Sequence, residues 1–177
     1  KTVSLAQEHG VGIGAHPSYP DLNGFGRRNM AATPEEVRND VVYQAGALSA
    51  FTAEKRLQHV KPHGAMYNQA VNDAELGKSI CEAVLEVQPD AVLLALSGSK
   101  WIDVAEGMGM RVAREVFADR AINSDGTLVS RSIPGSVIHD TSEVVERSLL
   151  MVKEGKIRSV EGIEVEVMAD SICLHGD

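Results

Sequence analysis

A chain of 177 residues, 44% hydrophobic and 24% charged, has the size and composition of one ordinary folded domain with a substantial core. Its formal net charge of −8 argues against a general nucleic-acid or anionic-membrane surface, because neutralising phosphates takes clustered lysines and arginines. No apolar run approaches the roughly 20 residues that span a bilayer, and no charged-then-apolar leader opens the sequence, so a cytoplasmic protein with Cys81 and Cys173 as reduced thiols is expected.

Residues 1–9 read as the tail of an amphipathic helix, with Val3, Leu5 and Ala6 apolar and Gly10 as a left-handed stop. Val11 to Ala15 is a glycine-bearing strand, in which Gly12 and Gly14 predict close approach by backbone or ligand. His16 to Met30 forms a long loop containing Arg27 and Arg28. Thr33-Pro34-Glu35-Glu36 then opens a helix: an N-cap, a proline at the first helical position and acids in the first turn. Val37, Val41, Val42, Ala45, Leu48 and Phe51 carry its apolar stripe toward Lys55. Leu57 to Val60 is the second strand; the turn Lys61-Pro62-His63 follows, and the stretch to Tyr67 precedes a polar turn and a new helical pattern.

Asn72 or Asp73 caps the next helix, which runs through Leu76, Ile80, Val84 and Val87 and stops at Pro89. Ala91 to Leu96 is wholly apolar, the pattern of a strand covered on both faces. Ser97-Gly98-Ser99 caps a shorter helix ending at Gly107 or Gly109, and Arg111 to Phe117 alternates as a strand. A polar loop with turn residues Asn123, Asp125 and Gly126 extends to Pro134. Thr141 or Ser142 begins a helix carrying Val144, Val145, Leu149 and Val152 to Gly155. Residues 157–167 form a hairpin around Gly162, and Ser171 to Leu174 is the last strand.

Strand–helix alternation predicts parallel pairing with right-handed crossovers in a single domain over residues 1–177. A (β/α) barrel usually needs ~250 residues, so the units here are too few to close one. Both ends are expected to fall inside a unit, leaving sheet edges for missing segments or a partner chain, including a second copy, to cover.

Three apolar runs end in a histidine beside proline or glycine: His16, His63 and His175. In parallel α/β folds the carboxyl ends of strands share one face, where chemistry sits. Accompanied by Asp21, Asp119 and Asp177, the three imidazoles fit two chemistries. They could ligate a divalent metal, or act as general acid and base oriented by the carboxylates. Lys61 could polarise a carbonyl or hold a phosphate. Arg27, Arg28, Arg120 and Arg131 suit carboxylate or phosphate groups. Ser97 and Ser99, at a strand end opening a helix, could cap that helix or meet an anion. His9, His59 and His139 have no special setting. Gly77-Lys78-Ser79 lacks the first glycine of a P-loop, and Gly10-x-Gly12-x-Gly14 lacks the spacing of a dinucleotide fingerprint.

At these same residues the sequence resembles the LamB/YcsF family, the A component of the bacterial ATP-dependent 5-oxoprolinase. The likeness lies in Gly12-Ile13-Gly14-Ala15-His16-Pro17-Ser18-Tyr19-Pro20-Asp21, Gly24-Phe25-Gly26-Arg27-Arg28 and Lys61-Pro62-His63-Gly64-Ala65-Met66-Tyr67-Asn68. It continues in Glu115-Val116-Phe117-Ala118-Asp119-Arg120, Asp125-Gly126-Thr127-Leu128-Val129-Ser130-Arg131 and Cys173-Leu174-His175-Gly176-Asp177. The resemblance implies a (β/α) barrel of the glycoside hydrolase/deacetylase type, incomplete in this chain. Family members also carry an N-terminal segment with an acidic turn and another histidine, and a final helix, which this sequence does not contain. The implied activity opens the lactam of 5-oxo-L-proline to L-glutamate with ATP, accompanied by Mg2+, as co-substrate and the B and C subunits of 5-oxoprolinase as partners. On that reading His63 or His16 is the base, oriented by Asp21 or Asp119. Lys61 and Arg120 stabilise the oxyanion or phosphate, and His175 and Asp177 complete the wall. A metal-dependent amide hydrolase or deacetylase without ATP, and a non-catalytic structural component of the complex, are the competing readings.

Overall fold

The computed structural model describes residues 1–176; the expectations for Asp177 lie outside the described residues. Five strands form one parallel sheet: β1 (Gly14–Ala15), β2 (His59–Val60), β3 (Val92–Leu96), β4 (Arg111–Phe117) and β7 (Ser171–Cys173). Each strand pairs with its predecessor in the order β1-β2-β3-β4-β7, like successive staves of a (β/α) barrel, and β1 and β7 are the outermost. β5 (Lys156–Arg158) and β6 (Glu164–Glu166) make a separate antiparallel hairpin.

Helices α1 (Thr2–Glu8), α2 (Pro34–Ser49), α3 (Gly64–Asn72), α4 (Ala74–Val87), α5 (Lys100–Gly107) and α6 (Thr141–Glu154) fill the intervals. Thr33 caps α2 through a complete capping box with Glu36, an arrangement whose loss typically costs about 1 kcal/mol. Asp73 caps α4 by accepting from the Glu75 and Leu76 N–H groups. The main core lies between the sheet and α2 to α5, with Val37, Val41, Ile80, Val84, Leu93 and Trp101 fully buried. A smaller cluster of Val116, Ile122, Met151 and Ile157 joins β4 and α6 to the hairpin. Among the described residues no helix is long and apolar enough to cross a membrane.

Several local expectations are corrected. α3 begins directly after Lys61-Pro62-His63 and runs through the polar turn expected beyond Tyr67. Gly64 makes this entry with φ +56, and a Cβ there would meet the Gly26 carbonyl oxygen at 2.5 Å. That backbone suits glycine alone. α2 ends at Ser49 rather than running toward Lys55, because the chain turns there and Glu54 and Lys55 are left-handed. β3 is not covered on both faces: Val92 and Leu94 are only half-buried. α6 begins at Thr141 as expected, and Asp140 caps it. The apolar stripe of α6 is largely uncovered, with Val145, Leu149 and Val152 exposed and Met151 buried instead. Gly12 and Gly14 are closely approached not by backbone or ligand but by side chains, since a Cβ at Gly12 would overlap Gln58 and one at Gly14 the His59 ring.

Candidate active site

His16 follows β1, Lys61 and His63 follow β2, Asp119 and Arg120 follow β4, and His175 follows β7. Parallel pairing puts all of these positions at the same, carboxyl end of the sheet. There the three histidines and Lys61 line one cavity of about 410 Å³. Arg27, Arg120 and Arg131 line it as well, and among the described residues no Asp or Glu does.

The imidazoles of His16 and His63 touch. His63 Nδ1 is 2.9 Å from His16 Nε2, and the rings meet edge to face. Their outer nitrogens face backbone carbonyls: His16 Nδ1 lies 2.6 Å from the Lys61 oxygen, and His63 Nε2 2.7 Å from that of Phe25. A carbonyl only accepts, so His16 carries its proton on Nδ1 and His63 on Nε2. In the neutral pair the inner nitrogens are therefore two lone pairs aimed at each other. Burial, and then the neighbouring His63, lowers the His16 pKa to about 4. Burial also lowers that of His63, with Arg27, His175 and Lys61 adding to the effect and the Phe25 carbonyl opposing it. Both rings are neutral at pH 7.

His175 is oriented differently. Its Nδ1 donates to Asp119 at 2.9 Å, and its backbone N–H donates to the same carboxylate at 3.1 Å. Its ring stacks on Phe117 with centroids 6.0 Å apart. Asp119 thus stands behind the cavity wall and fixes which nitrogen of His175 carries the proton. Lys61 Nζ donates to Glu115 Oε1 at 2.7 Å and to Cys173 Sγ at 3.1 Å, and lies 4.9 Å above the Phe117 ring. Burial raises the Cys173 pKa.

Arg120 is only 4% exposed. Its Nε donates to the Ser136 carbonyl at 3.1 Å and Nη2 to the Val129 carbonyl at 2.5 Å. Burial, and then Arg131, lowers its pKa to about 10, leaving it charged at pH 7.

Other expected site residues lie elsewhere. Asp21 is buried beneath the loop, where it accepts from Arg28 Nε at 3.0 Å and from the Gly24 N–H at 3.0 Å. The Arg28 hydrogen bond holds its carboxyl below the usual range. This pair closes the loop that offers the Phe25 carbonyl to His63, and neither residue lines the cavity. Phe25 itself is left-handed, φ 54, a strain of the kind that collects at functional sites. Ser97 and Ser99 are buried away from the cavity. Ser99 Oγ donates to the Leu96 carbonyl instead of capping α5, and Ser97 Oγ accepts from the Met168 N–H. Among the described residues no three His, Cys, Asp or Glu side chains are grouped to hold a metal ion.

Sequence reasoning does not single out Glu115. The available signal is an acid on the same face as Ala113 and Phe117 in the alternating run Arg111 to Phe117. Tyr67, which the sequence places just ahead of a polar turn, lines the cavity from α3, and burial and then Glu115 push its hydroxyl pKa well up.

The family model described as the LamB/YcsF family matches residues 1–177. The A component of 5-oxoprolinase from Thermococcus onnurineus (strain NA1) is 54% identical over 179 residues, covering 100% of this chain and 70% of the relative. That of Alkaliphilus metalliredigens (strain QYMF) is 55% identical, with the same coverage. The crystal structure of the lactam utilization protein from Thermus thermophilus superposes with a TM-score of 0.88 at 49% identity, over 98% of this chain and 71% of that one.

Proposed function

This chain belongs to the LamB/YcsF family, and we propose that it is the component that opens the lactam ring of 5-oxo-L-proline to L-glutamate in an ATP-dependent 5-oxoprolinase, working with the B and C subunits. The observation that carries the reading is the convergence of His16, His63, His175 and Lys61 on one cavity from three different strand ends.

A lactam carbonyl is a poor electrophile, and ATP, with Mg2+ accompanying its phosphates, supplies the phosphoryl group that activates its oxygen. Lys61 stabilises the negative charge developing on that oxygen. The facing lone pairs of His16 and His63 take a proton from the attacking water. Once gained, that proton lies in the 2.9 Å contact between the two rings, and their lowered basicity makes it easy to pass on. When the carbon–nitrogen bond breaks, the leaving nitrogen takes a proton, which the pair or His175 is placed to return, and a second water opens the resulting acyl phosphate to glutamate and inorganic phosphate.

The test is glutamate formation from 5-oxo-L-proline by the complex with the B and C subunits, with and without ATP, for the wild type and His63→Ala. Wild-type turnover that needs ATP and collapses in the variant supports the reading. Lactam-dependent ATP hydrolysis near the wild-type rate in His63→Ala removes the imidazole pair from the chemistry and leaves the chain with a structural role. Turnover without ATP points to a plain amide hydrolase.

A further inference from the structure

Arg120 is a buried cation whose charge nothing described in the protein neutralises. Its hydrogen bonds go to two neutral carbonyls, and among the described residues it has no carboxylate at ion-pair distance. Asp119, next to it in sequence, has its oxygens engaged by the backbone and ring of His175. Nη1 of Arg120 has no hydrogen-bond partner among the described residues, although the residue lines the cavity. Arg131 lines the same cavity, likewise makes no ion pair among the described residues, and is close enough to lower the Arg120 pKa. Ser130 and Ser132 add hydroxyls to this end of the cavity.

A buried unpaired charge is costly. Two guanidinium groups lining one cavity repel each other, which raises that cost further. The arrangement is favourable only when an anion arrives, and a guanidinium fork fits the two oxygens of a carboxylate or phosphoryl group. We propose that Arg120 and Arg131 form an oxyanion subsite at the end of the cavity. Its occupant is the ring carboxylate of the lactam acid, bound so that the amide bond lies toward His16 and His63. This rests on the lactam reading for the source of the anion. It adds that the protein selects lactams bearing a carboxylate over the bare ring.

The experiment is calorimetric binding of 5-oxo-L-proline, 2-pyrrolidinone and inorganic phosphate to the protein. Arg131→Gln is the main variant. Arg120→Lys is the second, because Arg120 also ties down the loop through Ser136 and Val129. The expected result is tenfold or more tighter binding of 5-oxo-L-proline than of 2-pyrrolidinone, with the gap closing in Arg131→Gln. If the two lactams bind alike while phosphate binds and weakens in both variants, the subsite stands and its occupant is phosphoryl. If phosphate binds with the same sensitivity and neither lactam binds, the lactam reading falls while the subsite survives. Anion binding that neither variant weakens, or no anion binding at all, overturns the subsite.

Discussion

Lys61 and Glu115 meet at 2.7 Å although their strands, β2 and β4, are separated by β3. The contact reaches across the intervening strand, so both side chains stand on the same face of the sheet, beneath the cavity that Lys61 lines. Glu115 is 2% exposed, and among the described residues neither its second oxygen, Oε2, nor the buried hydroxyl of Tyr67 has a hydrogen-bond partner within normal geometry. Such a pair is an expensive way to fill a core, since a well-packed apolar pair of similar volume is often as stable or more so. Its role is to hold an ammonium at one place.

Breaking the pair from one side leaves a charge stranded. Glu115→Leu is expected to destabilise the fold by about 2–3 kcal/mol, somewhat below the ~3–5 kcal/mol of a fully buried pair, because 17% of the Lys61 side chain reaches solvent. Lys61→Met/Glu115→Leu recovers most of that loss. Urea unfolding of both singles and the double closes the cycle, and additive losses would contradict the account. Activity behaves oppositely and stays low in the double variant.

Gly64→Ala tests the entry into α3. The left-handed backbone costs an L-residue about 1 kcal/mol, and the contact with the Gly26 carbonyl adds to it, giving a loss of roughly 1–3 kcal/mol. Because the Ala65 N–H donates to that same carbonyl at 2.9 Å, the shift also moves His63. A fall in both Tm and kcat is expected, and a variant as stable as the wild type refutes the steric argument.

How much of this was readable in advance follows from what each feature depends on. The strand-end histidines were legible because parallel pairing brings the ends of apolar runs to one face whatever lies between. The start of α2 was legible because Thr33, Pro34 and Glu36 act locally. α3 was missed because its entry requires Gly64 at positive φ against Gly26, a contact 38 residues away in sequence. Asp21 looked catalytic because it sits in the same string as His16, but the Arg28 side chain seven residues later claims it. Ser97 and Ser99 open a helix as expected, yet their hydroxyls satisfy backbone groups that sequence position does not reveal. Glu115 matters only through Lys61, 54 residues away.

Asp119→Asn keeps the shape beside His175 but removes the carboxylate that fixes its tautomer. The amide can present its N–H instead of an acceptor and so stabilise the other ring proton position. A fall in kcat of roughly 10²-fold or more is expected if His175 transfers a proton, with little change in KM. Equal falls in kcat and stability would make Asp119 purely structural, so unfolding by urea is measured on the same variant.

The His16–His63 contact carries the clearest pH signature. Protonating either ring is opposed by burial and by Lys61 and His175, with Arg27 opposing it at His63, and the His16 pKa lies near 4 against an ordinary value of 6.5. The unfolded chain therefore binds more protons than the folded one between about pH 6.5 and 4. The native state is free of the penalty above pH 6.5 and loses stability as pH falls through that window, flattening below it. His16 is exposed toward the cavity, which keeps the effect modest. In catalysis the base must be neutral, so the acid limb of kcat/KM should lie well below pH 6.5. Because the two rings share one proton, they titrate as a pair rather than as two residues. His16→Gln and His63→Gln should each cost roughly 10²–10⁴-fold, and the double variant should cost no more than the worse single. Imidazole NMR titration with both rings near pH 6.5, or losses that multiply in the double variant, would show two independent histidines and end the case for a joint base.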